Sequence, residues 1–417
     1  MTTGDRPTTR PAVLVIGAGM YVGGRGTTTL GTVLPTLVQA QSRGDIGEIR
    51  VAATTSASIA ELQARLGQIN DRMGTQATFV GYPAQGVDPD PLAYRQALRS
   101  LSRPACAIIV VPDHLHASVT SDVIREGVHP LVVKPLTPTL DEALDLVQLA
   151  EEHGVYGAVE FHKRWDESNL LLRQNLADGS LGDLCHITVE YSQRRVVREI
   201  FRAWVDRTSI FQYLGVHYCD LIYYLTAARP IRALATGQRP TSEPAEVGRF
   251  DAIQALVEWE LPGDGRRFAS TIVTSWTDPD GTSALSDQKI TAVGTKGRYQ
   301  ADQKNRGVQL VTDGHQSTEE INPYFSQLYR GADGEIEIHG YGPRSILQFI
   351  DDVRSLTAGE RTRQDLIKQR PSFQDALVST AIVDAVHSSL INDSAWVAID
   401  DRLPSREAAA PPAKENA

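Results

Sequence analysis

Two side chains in this sequence are of types that carry protons near neutral pH. Lys134 closes the apolar run Leu131–Val133 and is followed by Pro135. Proline confines the residue before it to extended backbone, which fixes where the lysine side chain leaves the chain. Burying an ammonium at such a strand end is costly, so its pKa is expected to fall, which suits proton transfer. The plainer alternative is a strand-end lysine that reaches solvent. His217 lies in a stretch of apolar and aromatic residues, and imidazole titrates near neutrality. There the plainer alternative is a core histidine satisfied by a neighbour. Asp220, three residues on, either orients that ring or pins its helix. Glu160, His162 and Arg164 alternate, so on a regular strand they share one face and could hydrogen-bond hydroxyl groups, with Lys163 pointing away. Arg164 equally suits a buried ion pair.

A glycine-rich turn offers a second chemistry. The apolar run Val13–Ile16 is followed by Gly17-Ala18-Gly19-Met20-Tyr21-Val22-Gly23. Gly17 permits a tight turn, and Gly19 lets a pyrophosphate approach backbone N–H groups. Met20 and Tyr21 follow where the next helix would present its positive end. The third glycine stands one position later than in G-x-G-x-x-G. The second apolar run ends in Ala53-Thr54-Thr55-Ser56, with no acid to read a ribose hydroxyl. The hydroxyls of Thr54, Thr55 and Ser56 could accept a free ribose or its 2′-phosphate. The missing acid removes the usual repulsion against NADP, while no Arg or Lys adjoins to require it. The balance between NADP and NAD therefore leans slightly to NADP.

These groups need elements to hold them. Ala12–Ile16, Ile49–Ala53, Cys106–Val111 and Leu131–Val133 are short unbroken apolar runs, as in strands buried on both faces of a parallel sheet. His116–Glu126 and Leu140–His153 read as helices between strands, each followed by a glycine suited to a left-handed cap, Gly127 and Gly154. Such alternation predicts a Rossmann-like, doubly wound α/β domain. From about residue 184 the pattern turns to consecutive strands with short turns, interrupted by helices at about Phe211–Ala227 and Phe373–Leu390. That predicts an α+β domain on a large, mostly antiparallel open sheet. The expected boundaries are a disordered leader 1–10, a dinucleotide domain 11–158, a second domain 159–404 for substrate and oligomer contacts, and a disordered tail 405–417.

The 417 residues carry 41 Lys+Arg against 51 Asp+Glu, a formal net charge of −10. No basic run exists to neutralise phosphates along a nucleic acid. No apolar stretch is long enough for a membrane span, and the first residues lack the apolar segment of a secretory signal. Three cysteines, Cys106, Cys185 and Cys219, are too few and scattered for a disulfide framework or a zinc site, and each reads as a core residue. The expectation is a cytoplasmic protein with neither a nucleic-acid nor a membrane partner, and no metal.

Pro112-Asp113-His114-Leu115-His116 follows the third strand, and Gly127-Val128-His129-Pro130-Leu131-Val132-Val133-Lys134-Pro135-Leu136 follows the next helix. Together they resemble the Gfo/Idh/MocA family (glucose–fructose oxidoreductase, inositol dehydrogenase and relatives), whose pattern is P-[ND]-x-x-H and then G-K-H-V-x-x-E-K-P-L. Pro112, His116, Lys134 and Pro135 match, whereas Val133 stands where the family usually has Glu. Further along, His162-Lys163-Arg164 resembles N-x-R with His for Asn. Gly215-Val216-His217-Tyr218-Cys219-Asp220 matches G-x-H-x-x-D, and Gly294-Thr295-Lys296-Gly297 matches G-T-x-G. The resemblance spans about residues 11–400.

It implies an NAD(P)-dependent oxidoreductase that passes a hydride between nicotinamide and a secondary alcohol or ketone of a sugar, polyol or glycoside. It implies Lys134 and His217 in the proton relay, and cofactor contacts from Pro112, His114, His116 and Lys134. Substrate contacts would come from Lys134, His162, Arg164, Tyr213 and His217. The family often has Asp four residues before the histidine. Here that residue is Tyr213, a phenol able to bind a hydroxyl or join the relay but without the carboxylate charge, which tells against inositol itself. A homodimer or homotetramer is also implied. The alternative within the family is a glycoside-cleaving enzyme that holds its nicotinamide tightly and works by transient oxidation and elimination. A cofactor-binding regulator without catalysis is a third reading, disfavoured by the intact Lys134 and His217.

Overall fold

The computed structural model describes residues 10–87, 89–239, 250–313 and 317–404. The expected leader, apart from Arg10, and the expected tail lie outside these residues. The chain forms two compact units. The first comprises residues up to Leu136, then Glu142–His162 and Phe325–Phe373; the second comprises Thr137–Asp141, Lys163–Tyr324 and the residues from Gln374 on.

The first unit is built on six parallel strands: β1 Ala12–Ile16, β2 Ile49–Ala52, β3 Val80–Tyr82, β4 Ala105–Ile109, β5 His129–Val133 and β6 Ala158–Glu160. Their order is β3-β2-β1-β4-β5-β6. Every residue of β1 and β4 is buried, because helices must cover both faces of a parallel sheet. The order reverses between β1 and β4, so the carboxyl edge there is the switch point where sheets of this kind bind ligands. Gly127 and Gly154 take positive φ, 67° and 64°, just past the helices His116–Arg125 and Leu140–Glu152.

The sequence reading placed residues 325–373 in the second domain, yet they pack with the first unit. The cause is the helix Tyr341–Thr357. Ile346, Phe349, Ile350 and Val353 recur at helical spacing and join Val13, Val15, Ile108 and Tyr156 in one core.

The second unit is built on a seven-stranded sheet. Six are β7 Leu184–Arg194, β8 Arg229–Gln238, β9 Ala252–Glu260, β10 Arg267–Asp278, β11 Ser286–Gly294 and β12 Arg298–Asp302, and the last is Val397–Ala398. The order is β12-β11-β7-β10-β9-β8 and then the last strand. All pairs are antiparallel except β7 with β10. Alternation along β9 buries Ile253, Ala255, Val257 and Trp259 on one face. The expected helix near 211–227 is a wide π-type turn, Phe211–Gly215, running into Val216–Thr226, and Ala227 ends it at φ 53°. Cys106 and Cys219 are buried as expected, but Cys185 is exposed at the start of β7. Among the described residues no helix is long and apolar enough to cross a membrane.

Gly17 is where the sheet meets the ligand edge with least tolerance. Its φ is 123°, and a β-carbon there would stand 2.0 Å from the Val110 carbonyl oxygen. Gly17→Ala is expected to cost about 2–3 kcal/mol of stability by overpacking and strained backbone. Denaturant unfolding of the variant against the parent checks this.

Candidate functional site

The Gly-rich turn leaves β1 through Gly17, whose N–H donates to the Ala52 carbonyl at 2.8 Å. Gly19 precedes the short helix Met20–Gly23, and a β-carbon on Gly19 would meet no atom within 4 Å. That leaves its backbone N–H edge open to a ligand, as a pyrophosphate requires. Gly23 explains the irregular spacing. A β-carbon there would lie 2.3 Å from Leu62 Cδ2, so this glycine is needed for close packing against the helix Ser56–Met73. These features fit a dinucleotide.

At the end of β2, Thr55 is committed to structure. Its hydroxyl caps the following helix by accepting from the Ser58 N–H at 3.2 Å. Thr54 and Ser56 flank it. The sequence reading found no basic residue here, but the fold brings one from the glycine loop. Arg25 Nη1 donates to Ser58 Oγ at 3.2 Å, and its Nε lies 3.3 Å from Glu61 Oε2. The signal was the lone basic residue inside Gly23-Gly24-Arg25-Gly26.

Lys134 extends from β5 and its bond to Pro135 is cis. Burial drives its pKa down to about 7, while the charges of Asp113 and Glu160 act to raise it. Asp113 is itself buried, in the turn Asp113–Leu115 after Pro112, and accepts from the His114 N–H at 3.0 Å. His116 was expected at the cofactor. Instead its Nδ1 lies 2.7 Å from the Pro135 carbonyl and its Nε2 2.9 Å from that of Val111. Both ring nitrogens thus lie against backbone carbonyls, and the neutral ring donates to one of them. Burial pushes the His116 pKa down, against Asp113 and those carbonyls.

Glu160, His162 and Arg164 do not share a strand face. β6 ends at Glu160, and His162–Trp165 forms a tight 3-10 turn. Glu160, 1% exposed, faces His162 Nδ1 at 2.9 Å and accepts from the Ser345 hydroxyl. His162 stacks near Tyr21 and Tyr341, at centroid distances of 6.2 and 5.5 Å, with Phe325 at 5.4 Å. Tyr21 is therefore a wall of this cluster. Burial and the neighbouring Glu160 hold its phenol well above the usual value. Nothing in the sequence tied Tyr341, Ser345 or Phe325 to Glu160; a helix from some 180 residues downstream delivers the first two.

Arg164 belongs to the second unit and is fully engaged there. Its Nε and Nη2 grip Asp220, at 2.8 and 2.5 Å, and its Nη1 reaches Asp375 at 2.9 Å. Burial opposes the charge, but the two carboxylates outweigh it and raise the guanidinium pKa. Its two carboxylate partners fasten it within the second unit, and Asp220 holds its guanidinium through two nitrogens. Lys163 is buried as well, bonded to Gln288 and 4.8 Å above both the Tyr191 and Tyr218 rings.

His217 lies buried in the first turn of its helix, its ring 6.3 Å from that of Tyr191. Tyr213, in the wide turn before it, sits among Phe201, Trp204 and Trp276 at 5.4, 6.1 and 6.0 Å. Among the described residues no cluster of His, Cys, Asp and Glu is placed to hold a metal ion.

Residues 12–161 match the family described as "Oxidoreductase family, NAD-binding Rossmann fold", and residues 170–300 match the "GFO/IDH/MocA C-terminal domain". The scyllo-inositol 2-dehydrogenase (NADP(+)) of Bacillus subtilis is 28% identical over 193 residues, which is 43% of this chain and 53% of that protein. The match thus spans about half the length of that curated relative. Among solved structures, GenD2 from gentamicin A biosynthesis, in complex with NAD, superposes with a TM-score of 0.64. It is 17% identical and covers 96% of this chain and 99% of its own. Scyllo-inositol dehydrogenase from Lactobacillus casei, with bound NAD(H) and scyllo-inositol, gives 0.61 at 15% identity, covering 93% and 99%. At these identities the two structures bear on the fold.

Removing the Arg164 charge leaves Asp220 and Asp375 buried without their shared partner. Arg164→Met is therefore expected to cost about 3–5 kcal/mol, measured by urea unfolding.

Proposed function

Since the chain belongs to the GFO/IDH/MocA oxidoreductase family, we propose that it is an NAD(P)-dependent dehydrogenase or ketoreductase acting on a secondary hydroxyl of a sugar, polyol or glycoside. The observation that carries this reading is the Lys134 amine at the ligand-binding edge of the parallel sheet, with its pKa brought to about 7. An amine so poised takes a proton from an alcohol or returns one to a ketone at physiological pH. The dinucleotide, held by the backbone of the Gly17–Gly24 turn and the end of β2, supplies the hydride acceptor or donor.

His217 is proposed as the second group of the relay, on the strength of the family motif it occupies. Tyr213 is proposed to meet the substrate. Its aromatic neighbours Phe201, Trp204 and Trp276 suit the apolar face of a sugar ring better than a highly charged ligand. Two of the named relatives are inositol dehydrogenases; the phenol in place of a carboxylate points to a related ring with a different pattern of hydroxyls. NADP is proposed over NAD, because Arg25 stands beside the Ser58 hydroxyl where a 2′-phosphate would lie and β2 ends without an acid. A homodimer or homotetramer is proposed through the sheet face of the second unit that carries the half-buried Leu234, Leu256, Val273 and Val293.

Screening polyols and glycosides with NADP and NAD tests the assignment, and no cofactor reduction with any of them sinks it. Lys134→Met is expected to lower kcat/KM about a thousandfold while unfolding is unchanged in shape. In the parent, alcohol oxidation needs the neutral amine and should rise with pH through about 7; ketone reduction needs the ammonium and should fall through the same range. Arg25→Ala is expected to raise the KM for NADP about tenfold and leave that for NAD nearly unchanged, since only the 2′-phosphate would lose a charged donor.

A further inference from the structure

The family pattern puts a glutamate directly before the motif lysine, and this chain has Val133 there. In the parallel pairing of β5 with β6, the residue in register with Val133 is Glu160. Its carboxylate is buried, accepts from the Ser345 hydroxyl and faces His162 Nδ1 at 2.9 Å. Neither partner is a lysine or arginine, so this carboxylate has no guanidinium or ammonium to neutralise it within its own hydrogen-bond set. Such a charge is costly to bury and acts on cations nearby over a longer range than it would in water. The nearby cation at the strand edge is Lys134, which feels Glu160 directly.

We infer that Glu160 supplies, from the neighbouring strand, the negative charge that the family places at position 133, and so keeps Lys134 able to hold a proton during turnover. This rests on the proposed role of Lys134. Glu160 acts through that lysine and is a positioning residue. The compensation is geometric. Two adjacent parallel strands end together, so a carboxylate lost from one edge is restored by its register partner on the next. The groups around the pair are Asp113 from the turn after β4, His162 beyond β6, Tyr21 from the glycine loop, and Tyr341 with Ser345 from the helix Tyr341–Thr357. Asp113 also acts on Lys134, and more strongly than Glu160. Ser345 donates its hydroxyl to Glu160 and holds the carboxylate in place, with the Tyr21 phenol close by.

The test reads the lysine itself rather than turnover. The protein without substrate is pulse-labelled with acetic anhydride across a pH series, and the acetylation of Lys134 is quantified by peptide mass spectrometry. The midpoint gives the ionisation of that one amine. Removing a neighbouring carboxylate destabilises the ammonium, so Glu160→Gln is expected to move the midpoint down by about one pH unit. The double variant Val133→Glu with Glu160→Gln is expected to restore it. An unchanged midpoint in Glu160→Gln, with Asp113→Asn moving it, would overturn the inference and assign the charge to Asp113 alone. Should Glu160→Gln fail to fold, Glu160→Asp, which withdraws the charge by one methylene, is expected to lower the midpoint by a smaller step, and no change there equally overturns it. Because the label reports on the lysine with no reaction running, an inactive protein with a shifted midpoint would count against the dehydrogenase reading and leave this inference standing.

Discussion

Taking the Lys134 ammonium out of water costs free energy, and most of the first unit's carboxyl edge can be understood from how that cost is met. The strands deliver the lysine to the edge because their apolar sequences are buried on both faces. His116 sits between the Pro135 and Val111 carbonyls and donates to one of them. Asp113 and Glu160 come from the segments on either side and return part of the lost stabilisation. With burial alone the amine would stay neutral, and with the carboxylates in water it would stay charged. Both together leave it near the midpoint at neutral pH, where a group can accept a proton in one direction and donate it in the other.

Three basic residues show how strongly the surroundings decide the chemistry of one residue type. Lys134, Lys163 and Arg164 all lie in or against protein rather than water. Arg164 has two carboxylates and all three of its gripping nitrogens used, so it is a fixed charge that ties the 3-10 turn to two helices of its unit. Lys163 is held by an amide oxygen and two aromatic faces, which stabilise a cation. Lys134 lies under the charges of Asp113 and Glu160 at the carboxyl edge of the parallel sheet. Residue type alone does not separate the three, and neighbouring numbers 163 and 164 end in unrelated structural roles.

The same contrast marks what the amino-acid sequence disclosed. β1, β2, β4 and β5 were legible because each is an uninterrupted apolar run, and the helices His116–Arg125 and Leu140–Glu152 because a glycine follows each. β3 was not, since Val80-Gly81-Tyr82 is short and its first residue is exposed. The alternation of Glu160, His162 and Arg164 misled, because a period of two is also met by a strand that stops after its first member. The partners of Arg25 and Ser345 were invisible for a different reason. Each reaches its partner across a fold contact, 33 residues away for Arg25 and 185 for Ser345, and no local pattern encodes such a distance. The helix Tyr341–Thr357 was missed, and even its apolar stripe would not have said which sheet it covers.

The net charge of −10 sets a limit on how this chain can hold a dinucleotide, which is itself polyanionic. Long-range attraction works against binding, and salt screens it within about 8–10 Å at physiological ionic strength. Affinity must then come from groups in contact. The open backbone edge at Gly19 offers N–H dipoles that carry no counter-ion cost, and Arg25 offers one charge that Glu61 keeps in place beside Ser58. The same logic favours hydroxyls over an acid at the end of β2, because a further carboxylate there would add to a repulsion that the whole molecule already exerts. In a chain this acidic, the proposed preference for NADP rests on one arginine placed by a glycine loop against the cap of the next helix.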